Sequence, residues 1–432
     1  MNEDSVCNTI TTDTLKYSFD NISSFTFIER IDHSRFHDVS VGGHVKVLPA
    51  SEEQTEPIVA EISLSLNQTT PEDFPALEAC KTGSEVTISV DEDEDEARRF
   101  GRRSQRDYWP RIDINVNIYA TKDLKLDDLS LISTVLRFTL ASDLDLTVAN
   151  LTYIESKAAS VHASNSTNLL SRKTIISLDA GSVTGAFNLQ ELFAVNTKVG
   201  SVHLDITPQD TLPSGNKTAQ FFASSNAGRI WTTFPVFEKL PDRDYQVDVS
   251  TKGGTIGGSY VHGSKTVLTT EAGAIAADIV PFDASEKDST FVTSSRTGVT
   301  SINVFPSYKN PEKSLSHIKS SHHTVVGDLT LKYPSTWEGR IHGSVIIGRI
   351  VVRGSGVRVI RENGLVKSLW DRTKSLFDSI WSVGSKRLAA RALSGFGHSI
   401  EAERGNGDSD IEFKSNVGSV AVIFGEEEES DW

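Results

Sequence analysis

The sequence predicts an all-β protein whose short coils stack as a β-solenoid or single-stranded β-helix, interrupted by one amphipathic helix near the C-terminus. Three observations predict it. A glycine recurs at Gly181, Gly200, Gly228, Gly254, Gly273, Gly298, Gly327, Gly348 and Gly418, with spacings of 19, 28, 26, 19, 25, 29, 21 and 70 residues. All but the last fit one coil of a solenoid. Counting onward from each glycine, 22 of 27 residues at offsets +2, +4 and +6 are apolar, against 8 of 27 at +1, +3 and +5. One parity faces inward. No strand–helix–strand alternation occurs anywhere, which removes Rossmann and TIM-barrel folds.

Taken in chain order, residues 1–24 are polar with scattered apolar positions and read as a poorly ordered tail. From Phe25 the chain turns β-like: Phe25–Ile28, Val39–Val41, Val45–Val47, Ile58–Leu66 and Val86–Val90 are rich in β-branched and aromatic residues. Residues 91–111 then set six consecutive acids, Asp91–Glu96, against Arg98, Arg99, Arg102, Arg103 and Arg106. Such a block reads as a solvated loop that partly neutralises itself; a processing site or a nucleic-acid contact is the sharper alternative. Strict alternation resumes at Ile112–Ile118.

Beyond residue 170 the repeat takes over. Gly200-Ser-Val-His-Leu-Asp-Ile-Thr-Pro208 and Gly273-Ala-Ile-Ala-Ala-Asp-Ile-Val-Pro281 show it: a small turn, a Gly, an alternating strand, a Pro. The Gly permits a backbone turn closed to other residues, and the Pro ends the ladder by removing a donor. Each coil buries about three side chains, so no coil is stable alone and the stack is.

The chain of 432 residues carries 58 acids against 43 Lys and Arg, a net charge of −15, which argues against a polyanion binder. Two cysteines, Cys7 and Cys80, are too few for a disulfide-stapled secreted scaffold. The acidic start, Met1-Asn2-Glu3-Asp4, precedes no apolar stretch of signal-peptide type, and no run spans a bilayer. Five glycosylation sequons, at Asn21, Asn67, Asn150, Asn165 and Asn216, are what this composition gives by chance. The expected location is the cytoplasm, peripheral membrane contact being the refinement. No Walker loop, HExxH, CxxC or Gly-x-Ser-x-Gly elbow occurs, so no cofactor, metal or catalytic residue is expected. His322-His323 would point to opposite faces of a strand and cannot chelate together, so a turn or loop pair is expected. His262 is expected to serve a turn.

Several segments resemble a known family. Asn196-Thr-Lys-Val-Gly-Ser-Val202, Pro241-Asp-Arg-Asp-Tyr245 and Val249-Ser-Thr-Lys-Gly-Gly-Thr-Ile-Gly-Gly-Ser-Tyr-Val-His-Gly263 carry the likeness. Tyr333-Pro-x-x-Trp-Glu-Gly339 and Gly407-Asp-Ser-Asp-Ile-Glu-Phe-Lys-Ser-Asn-Val-Gly-Ser-Val420 extend it. Together they resemble the fungal adhesin-domain proteins that carry the domain of unknown function 4097, over residues 25–425. The resemblance implies a right-handed, single-stranded solenoid without established enzymatic activity.

The 70-residue gap holds the exception, a helical insertion expected over 363–398. Leu365–Trp381 places Val366, Leu369, Trp370, Leu376, Phe377, Ile380 and Trp381 at helical spacing, with Lys367, Asp371, Arg372, Lys374 and Asp378 on other faces. From Asn363 to His398 six Lys and Arg face two Asp. A basic amphipathic helix of roughly 25 Å can lie on a membrane, dock a partner, or cover the end of the solenoid. Leu369, Trp370, Leu376, Phe377, Ile380, Trp381, Lys367, Arg372 and Lys374 are therefore the candidate contact residues; 426–432 is a short acidic tail. The functional expectation is a non-enzymatic, adhesin-like interaction scaffold binding a protein or a membrane surface and no nucleic acid. The alternative is a carbohydrate-active β-helix lyase or hydrolase. Outward Thr184, Asp205, Thr233, Ser259, Asp278, Asn303 and Asp328 are where its paired carboxylates, about 5–9 Å apart, would have to lie.

Overall fold

The alternating apolar parity dictates the architecture that the computed structural model displays. It describes residues 5–31, 40–66, 76–90, 111–212, 215, 217–236, 239–283, 287–363 and 391–425. Among these there are strands and no helix. The chain divides into two compact units, Met1–Gly215 and Asn216–Trp432, where the sequence suggested one domain over 25–425.

In the second unit, consecutive coils each contribute two strands that pair in parallel with their counterparts one coil along. Asp244–Gly253, Lys265–Ala272, Ser289–Thr297 and Ile318–Val326 form one face of the stack. Ile230–Thr233, Ile256–His262, Ile275–Pro281, Thr300–Val304 and Leu329–Tyr333 form the other. The inward parity is buried throughout: Ile256, Tyr260, Ile275, Ile302 and Leu331 are all sealed from solvent. Each such side chain contributes about 1.5–3 kcal/mol, while ordering each residue's backbone costs about 1–2 kcal/mol. A coil therefore holds only against neighbours.

The recurrent glycines mark the corner between the two faces, and they touch one another. Gly273 has φ +156°, and a Cβ there would lie 1.9 Å from the Gly254 carbonyl oxygen. Gly298 repeats the contact on Gly273, and Gly327 on Gly298. The Gly254 amide donates to Ala272, that of Gly273 to Thr297 and that of Gly298 to Val326, at 2.8–2.9 Å. Three residues before most of these glycines stands an inward Ser or Thr. Thr251, Thr270 and Ser295 donate their hydroxyls to the corner carbonyls of Gly228, Gly254 and Gly273.

Chain order and spatial order part company at the C-terminal end. The strand Ser409–Val417 pairs in parallel with Ile318–Val326 on one side and with Gly339–Gly354 on the other. Val420–Phe424 lies likewise between Leu329–Tyr333 and the second half of Gly339–Gly354. The corners thus run Gly327, Gly418, Gly348, so the 70-residue spacing is not a gap between stacked neighbours in chain order but a return into the stack. Beyond Gly339–Gly354 the pattern turns antiparallel: Arg391–Arg404 pairs with it, and Val357–Asn363 pairs with Arg391–Arg404.

The first unit closes its N-terminal end by the same device. Ser24–Arg30 and Ser40–Pro49 stack in parallel on Glu85–Val90 and Arg111–Ala120. The next layers, Leu77–Thr82 and Ile58–Leu66, are antiparallel to these, and Val6–Thr9 and Leu15–Phe19 are antiparallel in turn. Buried Glu29 ties one corner: its carboxylate accepts the Ile31, Thr134 and Val135 amides and the Ser133 hydroxyl at 2.6–3.1 Å.

Several expectations are corrected. Residues 1–24 are not a plain tail, because Val6–Thr9 and Leu15–Phe19 are strands and Phe19 is 1% exposed, packed edge-on to Phe25. The expected insertion 363–398 loses both ends, since Asn363 closes one strand and Arg391–His398 opens another. Of the 91–111 loop, Arg111 belongs to a strand. The helix at Leu365–Trp381, with all its candidate contact residues, and the acidic tail 426–432 lie outside the described residues. Cys7 and Cys80 do form a disulfide. His322 and His323 sit in a strand rather than a turn, and His322 is buried.

Candidate functional site

On the outer face of the second unit the +3 and +5 positions of successive coils line up. The +5 row runs Thr233, Ser259, Asp278, Asn303, Lys332; the +3 row runs Trp231, Gly257, Ala276, Ser301, Thr330. Neighbours in a row stand about 4.8 Å apart, the strand spacing. Trp231 leans over its neighbour in the row: a Cβ at Gly257 would lie 2.5 Å from the indole carbons. Ala276 continues the low floor, and the result is a groove of about 390 Å³ bounded by the indole, the two alanines 276 and 277, and polar Thr233, Ser259, Asp278, Ser301 and Asn303. The Arg229 guanidinium lies over the indole, 4.4 Å from the ring centroid.

The polar groups along the groove are mutually oriented. The Asn303 amide donates to Asp278 Oδ1 at 3.1 Å, and the Ser259 hydroxyl donates to the Phe234 carbonyl at 3.0 Å. Of the outward positions singled out from the sequence, Thr233, Ser259, Asp278 and Asn303 meet here. Asp278 is the one carboxylate among the groove's lining residues. Thr184 and Asp205 belong to the first unit, and Asp328 is engaged with the Ser419 amide. Trp231 escaped the sequence reading. Its signal was the one aromatic residue among the 27 outward positions, three residues past Gly228.

A second concavity of about 310 Å³ gathers Asp242, Asp244, Asp283 and Asp288 where the coils end opposite the glycines. Each acid is already engaged. Asp242 pairs with Lys309, and Asp288 with Lys319, whose hydrogen bond holds the Asp288 carboxyl below its ordinary range. Asp244 accepts the Ser264 amide at 2.7 Å, and Asp283 accepts Asn310. These pairs fasten loops. His262 ends a strand beside this corner, hydrogen-bonded to Thr266 and Ser289, and burial lowers its pKa to about 4. His322 bridges Thr293 and Tyr333 inside the stack, with its pKa lowered by burial to about 3. Both are core groups, held neutral.

Among the described residues no helix is long and apolar enough to cross a membrane. No protein-family model matches the chain, and no curated protein matches it. A solved structure titled "putative cell adhesion protein", from Clostridium sporogenes, aligns over 95% of this chain and 99% of that one at 8% identity, with a TM-score of 0.17. That score establishes no common fold.

Proposed function

We propose that the protein is a non-catalytic, adhesin-like binding scaffold, and that the Trp231 groove is its contact surface for a neutral oligosaccharide. The single observation that carries this reading is an indole set beside a floor of small residues and a straight row of hydroxyl, amide and carboxylate groups. A sugar ring offers a CH face to an aromatic ring and hydroxyls to such a row, the mixture of apolar wall and few convergent polar groups that small-molecule sites use. A net charge of −15 disfavours an acidic glycan. Glycoside hydrolysis calls for two carboxylates, and this groove is lined by Asp278 alone. Arg229 covers the indole by an exposed cation–π contact worth about 0.5–1 kcal/mol, small enough for a ligand to displace.

Calorimetry against a panel of neutral oligosaccharides tests the reading. Trp231→Ala and Asp278→Ala are expected to weaken binding about tenfold, roughly 1.4 kcal/mol, with unchanged circular dichroism. Arg229→Ala is expected to tighten it about two- to fivefold. Binding indifferent to Trp231→Ala, or none across the panel, sinks the proposal; release of shortened sugar would favour the lyase or hydrolase instead.

A further inference from the structure

The first unit holds a second chemically distinct place, independent of the groove. Val6–Thr9 pairs with Leu77–Thr82, and all four of its residues are exposed, Val6 at 53%. It buries no apolar side chain, so little besides its ladder and a few polar contacts holds it. The Asn8 amide donates to the Tyr17 hydroxyl at 3.1 Å, and Thr82 donates to Ser5 at 3.0 Å. The covalent fastener is the disulfide from Cys7 to the directly opposed Cys80, 73 residues away in sequence. Glu78 precedes Cys80 by two residues, so strand alternation puts it on the same face. One ligand atom from each of Cys7, Glu78 and Cys80 lies within 4.8 Å of the others.

We propose that this triad is a redox-gated metal site: closed as a disulfide when oxidised, and a Zn²⁺ site when reduced. A dithiol reductant supplies two electrons, the Cys7–Cys80 S–S bond breaks, the reductant leaves as its own disulfide, and each sulfur becomes a thiol. Zn²⁺ then displaces the two thiol protons and is held by two thiolates and the Glu78 carboxylate. Two sulfurs and one carboxylate suit zinc, which accepts both donor types tetrahedrally, and three protein ligands at an exposed position leave a fourth for water. The metal refastens Val6–Thr9 across the same pair of strands that the disulfide spanned. The edge strand is thus fastened in the oxidised and the zinc-loaded states, and free only when reduced and metal-free.

The test uses the full chain, oxidised or reduced with dithiothreitol and desalted anaerobically, titrated with Co²⁺ and with Zn²⁺ against a competing chromophoric chelator. The expected result is one Co²⁺ per reduced chain with a thiolate-to-cobalt charge-transfer band, displaced by Zn²⁺, and no such band from the oxidised chain. Cys7→Ser/Cys80→Ser is expected to abolish the band. Glu78→Gln keeps it while weakening Zn²⁺ about tenfold or more. Limited proteolysis should cut near residues 5–10 only in the reduced, metal-free chain, and circular dichroism confirms that every variant remains folded. A reduced chain that binds no Co²⁺ with the thiolate band overturns the proposal. So does metal binding that survives in the double serine variant, since it then belongs to other ligands.

Discussion

At the scale of single residues, the stack is policed by groups that have no room to change. Gly273→Ala places a methyl group 1.9 Å from the Gly254 carbonyl oxygen at φ +156°, so both the contact and the backbone forbid it. The expected loss is about 2–4 kcal/mol, read as a lowered midpoint in urea. Buried His262 and His322 give the second unit a pH dependence of definite sign. Their folded pKa values, about 4 and about 3, lie below the ordinary 6.5 of the unfolded chain. Unfolding therefore takes up protons below pH 6.5, and stability present above that pH drains away as it falls toward 4. Each histidine contributes up to about 1.4 kcal/mol per pH unit in that window. Denaturation midpoints at pH 7 and pH 5 should fall sharply for the wild type and less for His322→Gln; equal slopes would contradict the assignment.

At the scale of elements, the strands were legible in the sequence and their company was not. The inward parity after each glycine matched burial except at Gly185, Gly258 and Gly354, which are half-buried, because alternation is a local property that packing enforces. The Ser or Thr three residues before the glycine went unread, although it stands at seven of the nine corners, absent only where Leu178 and Val345 take the place. Its meaning needed the fold, because at Thr197, Thr251, Thr270 and Ser295 the hydroxyl bonds a carbonyl on the preceding coil, while the buried hydroxyls of Thr324 and Ser415 make no hydrogen bond among the described residues. The antiparallel caps were illegible for a related reason, since parallel and antiparallel strands share one alternation. The disulfide joins residues 73 apart whose pairing only register decides. Half of the groove was visible as outward polar positions; Trp231 was passed over because one aromatic in a polar parity is a weak signal. The basic amphipathic pattern over 365–381 carries its own prediction. Wild type should pellet with anionic liposomes, and Trp370→Ala/Phe377→Ala/Trp381→Ala should not, with its β-sheet spectrum intact. Loss of stability without any liposome binding would instead mark those side chains as a cover.

At the scale of the whole chain, the stack depends on a return. Ser409–Phe424 sits between coils that precede it in sequence, with Asp410 opposite Lys319, 91 residues earlier. Such long closures slow folding relative to nearest-neighbour stacking. Removing residues 409–425 takes out an interior layer rather than an end. Hydrogen exchange on that truncation should show protection lost together across 318–326 and 339–354, whereas fraying confined to 339–354 would mean that the layer is dispensable.

The same return sets a problem of timing during synthesis. When Gly339–Gly354 is made, the edge it will finally face does not yet exist, and the edge available to it, Ile318–Val326, is the wrong one. Gly348 shares the positive-φ corner backbone of Gly418, although Val345 stands where Ser415 precedes Gly418, so a provisional match can form. The growing chain can thus complete a counterfeit end one coil too short, and Ser409–Phe424, arriving last, must prise it open to enter. Conditions that slow the late segment should therefore favour a soluble but misregistered product over an unfolded one.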